Sequence, residues 1–162
     1  MILIAAGSNL PFCQRDSQDI IALAFRALES IGYVRARSSF YKSPAWPDHS
    51  DPPFVNAVAS VETALAPEAL LAALHAVEAG FGRRRSVRNA PRTLDLDLLA
   101  YNEICREEDA LTLPHRRIAE RAFVLVPLCE IAPDWRHPGT GRMAKSLLAD
   151  LDPSEIRRIG EK

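Results

Sequence analysis

Apolar positions in the first third of the chain switch between the spacing of strands and that of helices. A continuous apolar run over residues 2–6 predicts a buried strand, and residues 7–9 predict a turn after it. Apolar residues at helical spacing over 16–31 predict a helix with Gly32 as its C-cap. A strand is predicted over residues 33–41, and the prolines between Ser43 and Pro53 predict a loop of restricted conformation.

The rest of the chain shows the same two patterns. Residues 54–63 predict a strand, and Pro67 opens an amphipathic helix that ends near 80–82. The remaining predicted elements are a strand in 94–101, a short companion strand at 104–105, a loop or short helix over 114–121, and helices over 122–131 and 143–151. This β-α-β-β-α-β order predicts an α+β, ferredoxin-like fold: an antiparallel sheet with two helices on one face, plus extra C-terminal helices.

Composition limits the classes of protein that this chain can represent. A length of 162 residues with 48% hydrophobic and 25% charged residues is typical of a single globular domain, here 1–162. The net charge of −1 argues against a general nucleic-acid or membrane surface. Three widely spaced cysteines without a CxxC motif, no basic N-terminal region and no apolar run of about 18 residues predict a cytoplasmic protein without a membrane span.

The most informative segment is Leu-Asp-Leu-Asp at positions 94–97, directly after an arginine-dense loop. On a strand, the leucines would face a core while Asp95 and Asp97 share the other face, with Cα atoms roughly 6.5–7 Å apart. Mg²⁺ favours a few carboxylates plus phosphate oxygens, and guanidinium groups suit the same phosphates. Two solvated aspartates on a half-exposed sheet would also fit the dyad taken alone. The arginines at 83, 84, 85, 88 and 92 favour the Mg²⁺–nucleotide interpretation.

Seven segments together resemble one known family. They are GSNL at 7–10, YKSPA at 41–45, FVNA at 54–57, GRRR at 82–85, RNAPRTLDLDLL at 88–99, LPH at 113–115 and RAFVLVPL at 121–128. This order resembles the 6-hydroxymethyl-7,8-dihydropterin pyrophosphokinases of folate biosynthesis. The resemblance implies transfer of pyrophosphate from ATP, the co-substrate, to the hydroxymethyl group of the dihydropterin, with release of AMP and participation of two Mg²⁺ ions. A monomer is expected.

The resemblance also implies roles for individual residues. Asp95 and Asp97 would bind both metal ions and would be catalytic together with Arg83, Arg85 and Arg92. The residues expected to bind ATP are Glu78, Arg88, Arg92, His115 and Arg121. Those expected to bind the pterin are Ser43, Pro44, Ala45, Trp46, Phe54, Asn56 and Phe123.

The chain departs from the family pattern at two places, and other functions stay open. Asn89 and Ala90 stand where family members often have Trp-Gly, so Trp46 is a candidate for the missing aromatic wall. Ala110 stands where some members are basic. A two-metal phosphodiesterase would need a general base or a nucleic-acid groove, and a ferredoxin-like RNA-binding module would need a basic, aromatic surface. A regulatory or structural relative without activity is a further alternative, and the retained aspartates Asp95 and Asp97 argue against it.

Overall fold

The computed structural model describes residues 1–46, 48–83 and 90–160. Its larger elements are β1 (Ile2–Ser8), α1 (Ser17–Leu28), β2 (Tyr33–Arg37), β3 (Phe40–Ser43), β4 (Phe54–Glu62), α2 (Pro67–Gly80) and β5 (Asp95–Tyr101). The C-terminal part adds β6 (Arg106–Glu107), β7 (Thr112–Leu113), a 3₁₀ turn (Ile118–Glu120), α3 (Ala122–Ile131), α4 (Ala144–Leu148) and β8 (Arg157–Ile159).

The main sheet is antiparallel, in the order β5-β1-β4-β3-β8, and β2 pairs with β4 as well. With β2 and β3 counted as one interrupted strand, the order of the four core strands is that of a ferredoxin-like fold, which confirms the predicted class. β6 and β7 form a separate two-stranded ribbon.

Two cores cover the two faces of the sheet. Helices α1 and α2 pack on one face, where Leu94, Leu96 and Leu98 are each at most 3% exposed, as the alternation predicted. Helices α3 and α4 pack on the other face around Leu3, Val58 and other apolar residues. The extra C-terminal helices therefore close the second face of the sheet, which the ferredoxin-like core alone would leave open.

Two predicted element ends are wrong in the first third of the chain. β1 continues through Gly7 and Ser8, because both residues pair with β4 where a turn was predicted. α1 ends at Leu28 with Glu29 as its C-cap, not at Gly32. Gly32 has a different role, since a Cβ there would collide with the backbone carbonyl oxygen of Glu62.

Other differences come from side chains that compete with backbone pairing. The strand predicted over 33–41 is broken at Ser38 and Ser39, because the Ser38 hydroxyl accepts the N–H of Val58 and the Ser39 N–H donates to Glu130. The companion strand lies at Arg106–Glu107, two residues later than predicted. α4 is shorter than the helix predicted over 143–151, and β8 was not predicted.

Candidate active site

A cavity of about 380 Å³ lies on the α3 side of the sheet, against β1, β4 and β5. The strand register forms its floor. Gly7 of β1 lies opposite Asn56 of β4 on one side and opposite Asp95 of β5 on the other. Because directly opposed residues share a face, this row places an amide and a carboxylate on either side of a residue without a side chain. A Cβ at Gly7 would lie 3.5 Å from Asn56 Oδ1 and 4.0 Å from the Cβ of Asp95, so glycine keeps the space between them open.

All seven residues expected to bind the pterin line this cavity, from three separate segments. Asn56 is 6% exposed, and its Nδ2 donates to the Ser43 hydroxyl at 2.9 Å. That bond fixes the orientation of the amide. Phe54 and Phe123 are half-buried, on β4 and α3 respectively. The lining residues from the proline-rich loop are Ser43, Pro44, Ala45 and Trp46.

The two aspartates of the cavity wall are paired with arginines. Arg92 Nη1 donates to Asp95 Oδ2 at 2.8 Å, and Arg83 donates to Asp95 Oδ1. Arg121 Nη1 donates to Asp97 Oδ2 at 3.1 Å. The sequence suggested these arginines as phosphate ligands, and the structure shows that they also form ion pairs with the carboxylates.

The electrostatics of the dyad favour a cation. Burial, followed by the negative charge of Asp95, raises the pKa of Asp97, while His115 and Arg121 oppose that shift. Two carboxylates on neighbouring positions of one face repel each other, and a hard divalent cation would relieve this repulsion. Among the described residues there is no group of three or more His, Cys, Asp or Glu side chains that could hold a metal. The two carboxylates of the dyad are compatible with Mg²⁺, which needs only one or two carboxylates when phosphate oxygens and waters complete its shell.

Glu78 and Arg83 lie behind this wall. Glu78 is on α2, is 2% exposed, and accepts the backbone N–H of Leu96 on β5 at 2.8 Å. Arg83 donates to Glu78 and to Asp95, and also to the backbone oxygen of Leu94 at 3.1 Å. Neither residue is among the described lining residues of the cavity. Their geometry joins the end of α2 to the start of β5.

His115 lies near the dyad but also outside that lining. Its backbone N–H donates to Leu99 at 2.7 Å, and its Nδ1 accepts the N–H of Arg117 at 3.2 Å. Burial and the charge of Arg121 lower the pKa of His115, against an opposing effect of Asp97. A neutral ring with Nδ1 as acceptor carries its proton on Nε2.

Three arginine–aromatic pairs surround the cavity. The guanidinium carbon lies 5.6 Å from the ring centre for Arg92 over Phe54 and for Arg121 over Phe123. The third pair is Arg117 over Trp46, at 5.4 Å. Each of these three aromatic residues was a predicted pterin contact.

Some predicted site residues are not among those that the structure describes, and some residues of the cavity wall were not predicted. Arg84, Arg85, Arg88 and Asn89 lie outside the described residues. Pairing of β8 with β3 brings the C-terminal segment to the cavity, where no motif predicted it. The missed lining residues include His49, Arg117, Glu120, Asp152, Glu155 and Ile156.

Comparison with known proteins identifies the family. The model of the family 7,8-dihydro-6-hydroxymethylpterin-pyrophosphokinase (HPPK) matches residues 3–133. The chain belongs to the HPPK family. A relative from Methylorubrum extorquens, named 2-amino-4-hydroxy-6-hydroxymethyldihydropteridine pyrophosphokinase, is 40% identical over 158 residues, which are 96% of each chain. A relative of the same name from Pseudomonas aeruginosa is 41% identical over 160 residues, covering 98% of this chain and 96% of its own.

A solved structure extends the family likeness to the fold. An HPPK-DHPS in complex with substrates superposes with a TM-score of 0.73 at 14% identity, covering 97% of this chain and 46% of that one. The chain thus spans slightly less than half of that solved protein and corresponds to its HPPK fold. Within the described residues, no helix is both long enough and apolar enough to cross a membrane.

Proposed function

We propose that this protein transfers the terminal pyrophosphate of ATP to the hydroxymethyl group of 6-hydroxymethyl-7,8-dihydropterin, releasing AMP for folate biosynthesis. Membership of the HPPK family supports the reaction. The observation that carries the assignment of the site is the row Asp95–Gly7–Asn56 across three paired strands. The row has a carboxylate, which would suit a metal–phosphate group, on one side of Gly7 and an amide, which would suit a heterocycle, on the other.

The pterin is proposed to bind on the Asn56 side of Gly7. Asn56 offers a carbonyl acceptor and a second N–H, because only one of its amide contacts is used by Ser43. Phe54 and Phe123 supply ring faces for stacking. Backbone groups around Pro44 would complete the recognition of the pterin edge, and Trp46 stands at the outer side.

ATP is proposed to bind on the aspartate side, with its phosphates near Arg92 and Arg121. Two Mg²⁺ ions, held by Asp95 and Asp97, would supply charge neutralisation for the phosphates. Because Mg²⁺ would balance the charge of the aspartates, the two arginines would be able to donate to phosphate oxygens. For Glu78 the geometry supports a positioning role through Leu96 and Arg83.

Further phosphate contacts are proposed from the family resemblance. Of the arginines in residues 83–92, the structure describes Arg83 and Arg92, and both donate to Asp95. Arg85 and Arg88 remain predicted catalytic and ATP-binding residues, respectively. His115 remains a predicted ATP ligand, and its Nε2 proton suits a phosphate oxygen.

The chemistry is a displacement at the β-phosphorus. The bond that forms joins the pterin hydroxymethyl oxygen to this phosphorus, and the bond that breaks joins the phosphorus to the α–β bridging oxygen. AMP leaves with that oxygen, and the hydroxyl proton is released to water. The protein contributes positioning of the two substrates and electrostatic stabilisation of the charge that develops on the phosphate oxygens.

We further propose that residues 1–162 act as one domain, as a cytoplasmic monomer that binds small molecules and not nucleic acid. All three cysteines are free, which suits a reducing compartment.

An assay that separates the two adenine nucleotides tests this function. The protein is incubated with ATP, Mg²⁺ and 6-hydroxymethyl-7,8-dihydropterin, and AMP and ADP are measured with and without the pterin. We expect AMP in amounts equal to the pterin diphosphate formed. ADP would indicate an ordinary kinase, and nucleotide release that does not depend on the pterin would contradict the proposed substrate.

A further inference from the structure

Trp46 is an unusual member of the cavity wall, because 60% of its surface is exposed. The other site aromatics, Phe54 and Phe123, are half-buried on regular elements. The apolar surface of an indole at the mouth of a cavity is exposed to water unless a ligand covers it. Removal of that surface from water favours binding. The exposure of Trp46 and its place in the lining therefore point to contact with a bound molecule.

Arg117 holds this indole from one side. Its guanidinium carbon lies 5.4 Å from the ring centre of Trp46, within the range of a cation–π contact. Its Nε donates to Glu120 Oε2 at 3.4 Å, and its backbone N–H donates to His115 Nδ1. Arg117 and Glu120 both line the cavity.

The three arginine–aromatic pairs differ in what else the arginine contacts. Arg92 and Arg121 are tied to Asp95 and Asp97, so they belong to the phosphate side of the site. Arg117 is tied instead to Glu120, outside the dyad. Its stacking surface is thus directed to the indole while its charge is balanced by a separate carboxylate.

We propose that Arg117 is a positioning residue that orients Trp46 as the outer wall of the pterin slot, and that the pair determines affinity for the pterin. Arg117 covers one face of the indole, which leaves the opposite face and the edge for the ligand. The inference rests on the proposed binding of a pterin in this cavity. It adds a residue that no sequence motif marked.

A double-mutant cycle separates positioning from direct contact with a substrate. Binding of 6-hydroxymethylpterin and, separately, of a non-hydrolysable ATP analogue with Mg²⁺ is measured by calorimetry for the parent, Trp46→Ala, Arg117→Met and the double variant. We expect Arg117→Met to weaken pterin binding about two- to fivefold, the range of an exposed cation–π contact, with ATP binding unchanged. In the Trp46→Ala background the same change should have almost no effect.

Arg117→Lys and Arg35→Met complete the set of variants. Lysine keeps the charge without the planar stacking surface, so Arg117→Lys should retain only part of the pterin affinity. Arg35 also stacks on an aromatic ring, Tyr33, at 4.6 Å and pairs with Glu62, but it lies outside the cavity lining. Arg35→Met is therefore the matched control and should bind both ligands like the parent.

Fluorescence of the indole gives a second readout. The chain has two tryptophans, and Trp135 is buried among apolar residues, so Trp135→Phe leaves Trp46 as the only emitter. Acrylamide should quench Trp46 more strongly after Arg117→Met, and bound pterin should protect it in the parent background. Equal quenching with and without Arg117, or equal losses of pterin affinity in both Trp46 backgrounds, would overturn the positioning role. A parent that binds no pterin would instead overturn the proposed function itself.

Discussion

The floor and the rim of the cavity are built in different ways. The floor is the row Asp95–Gly7–Asn56, set by backbone pairing between β5, β1 and β4. The rim comes from the proline-rich loop, the 3₁₀ turn and the C-terminal segment, and it is held by side-chain contacts such as Arg117 with Trp46. The floor therefore fixes where the reacting groups lie, while the rim adjusts how well a ligand is held.

This difference predicts that substitutions in the floor act on catalysis more strongly than those in the rim. Asp97→Asn should give the largest loss, at least about a hundredfold in turnover, because an electrostatic group at the phosphates is removed. Stability should be kept or increased, since burial and Asp95 already disfavour the charge on Asp97. Steady-state AMP release and thermal unfolding measure the two effects.

The matched control for this change is Asp134→Asn, an exposed aspartate paired with Lys145. It should leave turnover unchanged. An Asp97→Asn enzyme with nearly normal AMP release would show that the dyad is not the metal and phosphate site.

Asn56→Ala should be the next largest effect. Loss of the amide removes contacts to the pterin edge and leaves Ser43 without its partner, and each buried polar group left unpaired costs about 1–3 kcal/mol. Pterin affinity should fall about tenfold to a hundredfold. Calorimetry with both ligands checks this, and an equal loss of ATP affinity would contradict a slot for the pterin on this side of Gly7.

Gly7→Ala tests the open space in the middle of the floor. The new methyl group would be in ordinary van der Waals contact with Asn56 at 3.5 Å and Phe54 at 3.7 Å, so the fold should tolerate it. It would project between the two substrates, and displacement of reacting groups by a fraction of an ångström should lower turnover at least about tenfold. Unchanged turnover with unchanged stability would mean that the substrates do not meet above Gly7.

Glu130→Gln tests how the rim is supported and should have the smallest effect. Glu130 on α3 accepts from the Ser39 N–H and hydroxyl and from Tyr41, and it lies 3.7 Å from Arg158 of β8. Burial opposes ionisation, but the hydrogen bonds from Ser39 and Tyr41 and the charge of Arg158 outweigh it and lower the pKa of Glu130 below its ordinary value. The carboxylate therefore stabilises the fold above the ordinary pKa of a glutamate, and the contribution disappears as the pH falls through the lowered pKa.

Denaturant unfolding at several pH values measures this contribution. The free energy of unfolding of the parent should exceed that of Glu130→Gln by about 1 kcal/mol at neutral pH, and this difference should disappear in acid. AMP release should change little. A gap that stays constant down to pH 3 would show that the charge of Glu130 is not the stabilising feature.

The β5 part of the floor could be predicted because its pattern is local. Alternation of Leu94, Leu96 and Leu98 with two aspartates specifies a strand and its two faces before any tertiary structure is known. The continuation of β1 through Gly7 could not be read in the same way, because glycine and serine are typical of turns. Pairing with β4, and for Gly7 also with β5, keeps those residues extended.

The rim could not be predicted from the sequence, for a different reason. β8 has only three residues, and its partner β3 lies more than a hundred positions earlier in the chain, so no local pattern marks the pair. The interruption between β2 and β3 depends on the Ser38 and Ser39 contacts with Val58 and Glu130. Such contacts follow from the tertiary structure and not from propensity.

A crystal structure of the protein with Mg²⁺, a non-hydrolysable ATP analogue and 6-hydroxymethylpterin tests the central claim most directly. The hydroxymethyl oxygen should lie above Gly7, with the pterin edge on Asn56 and the β-phosphate beside Asp95 and Asp97. A pterin bound elsewhere, or phosphates bound away from the two aspartates, would contradict the claim that this strand row brings the two substrates together.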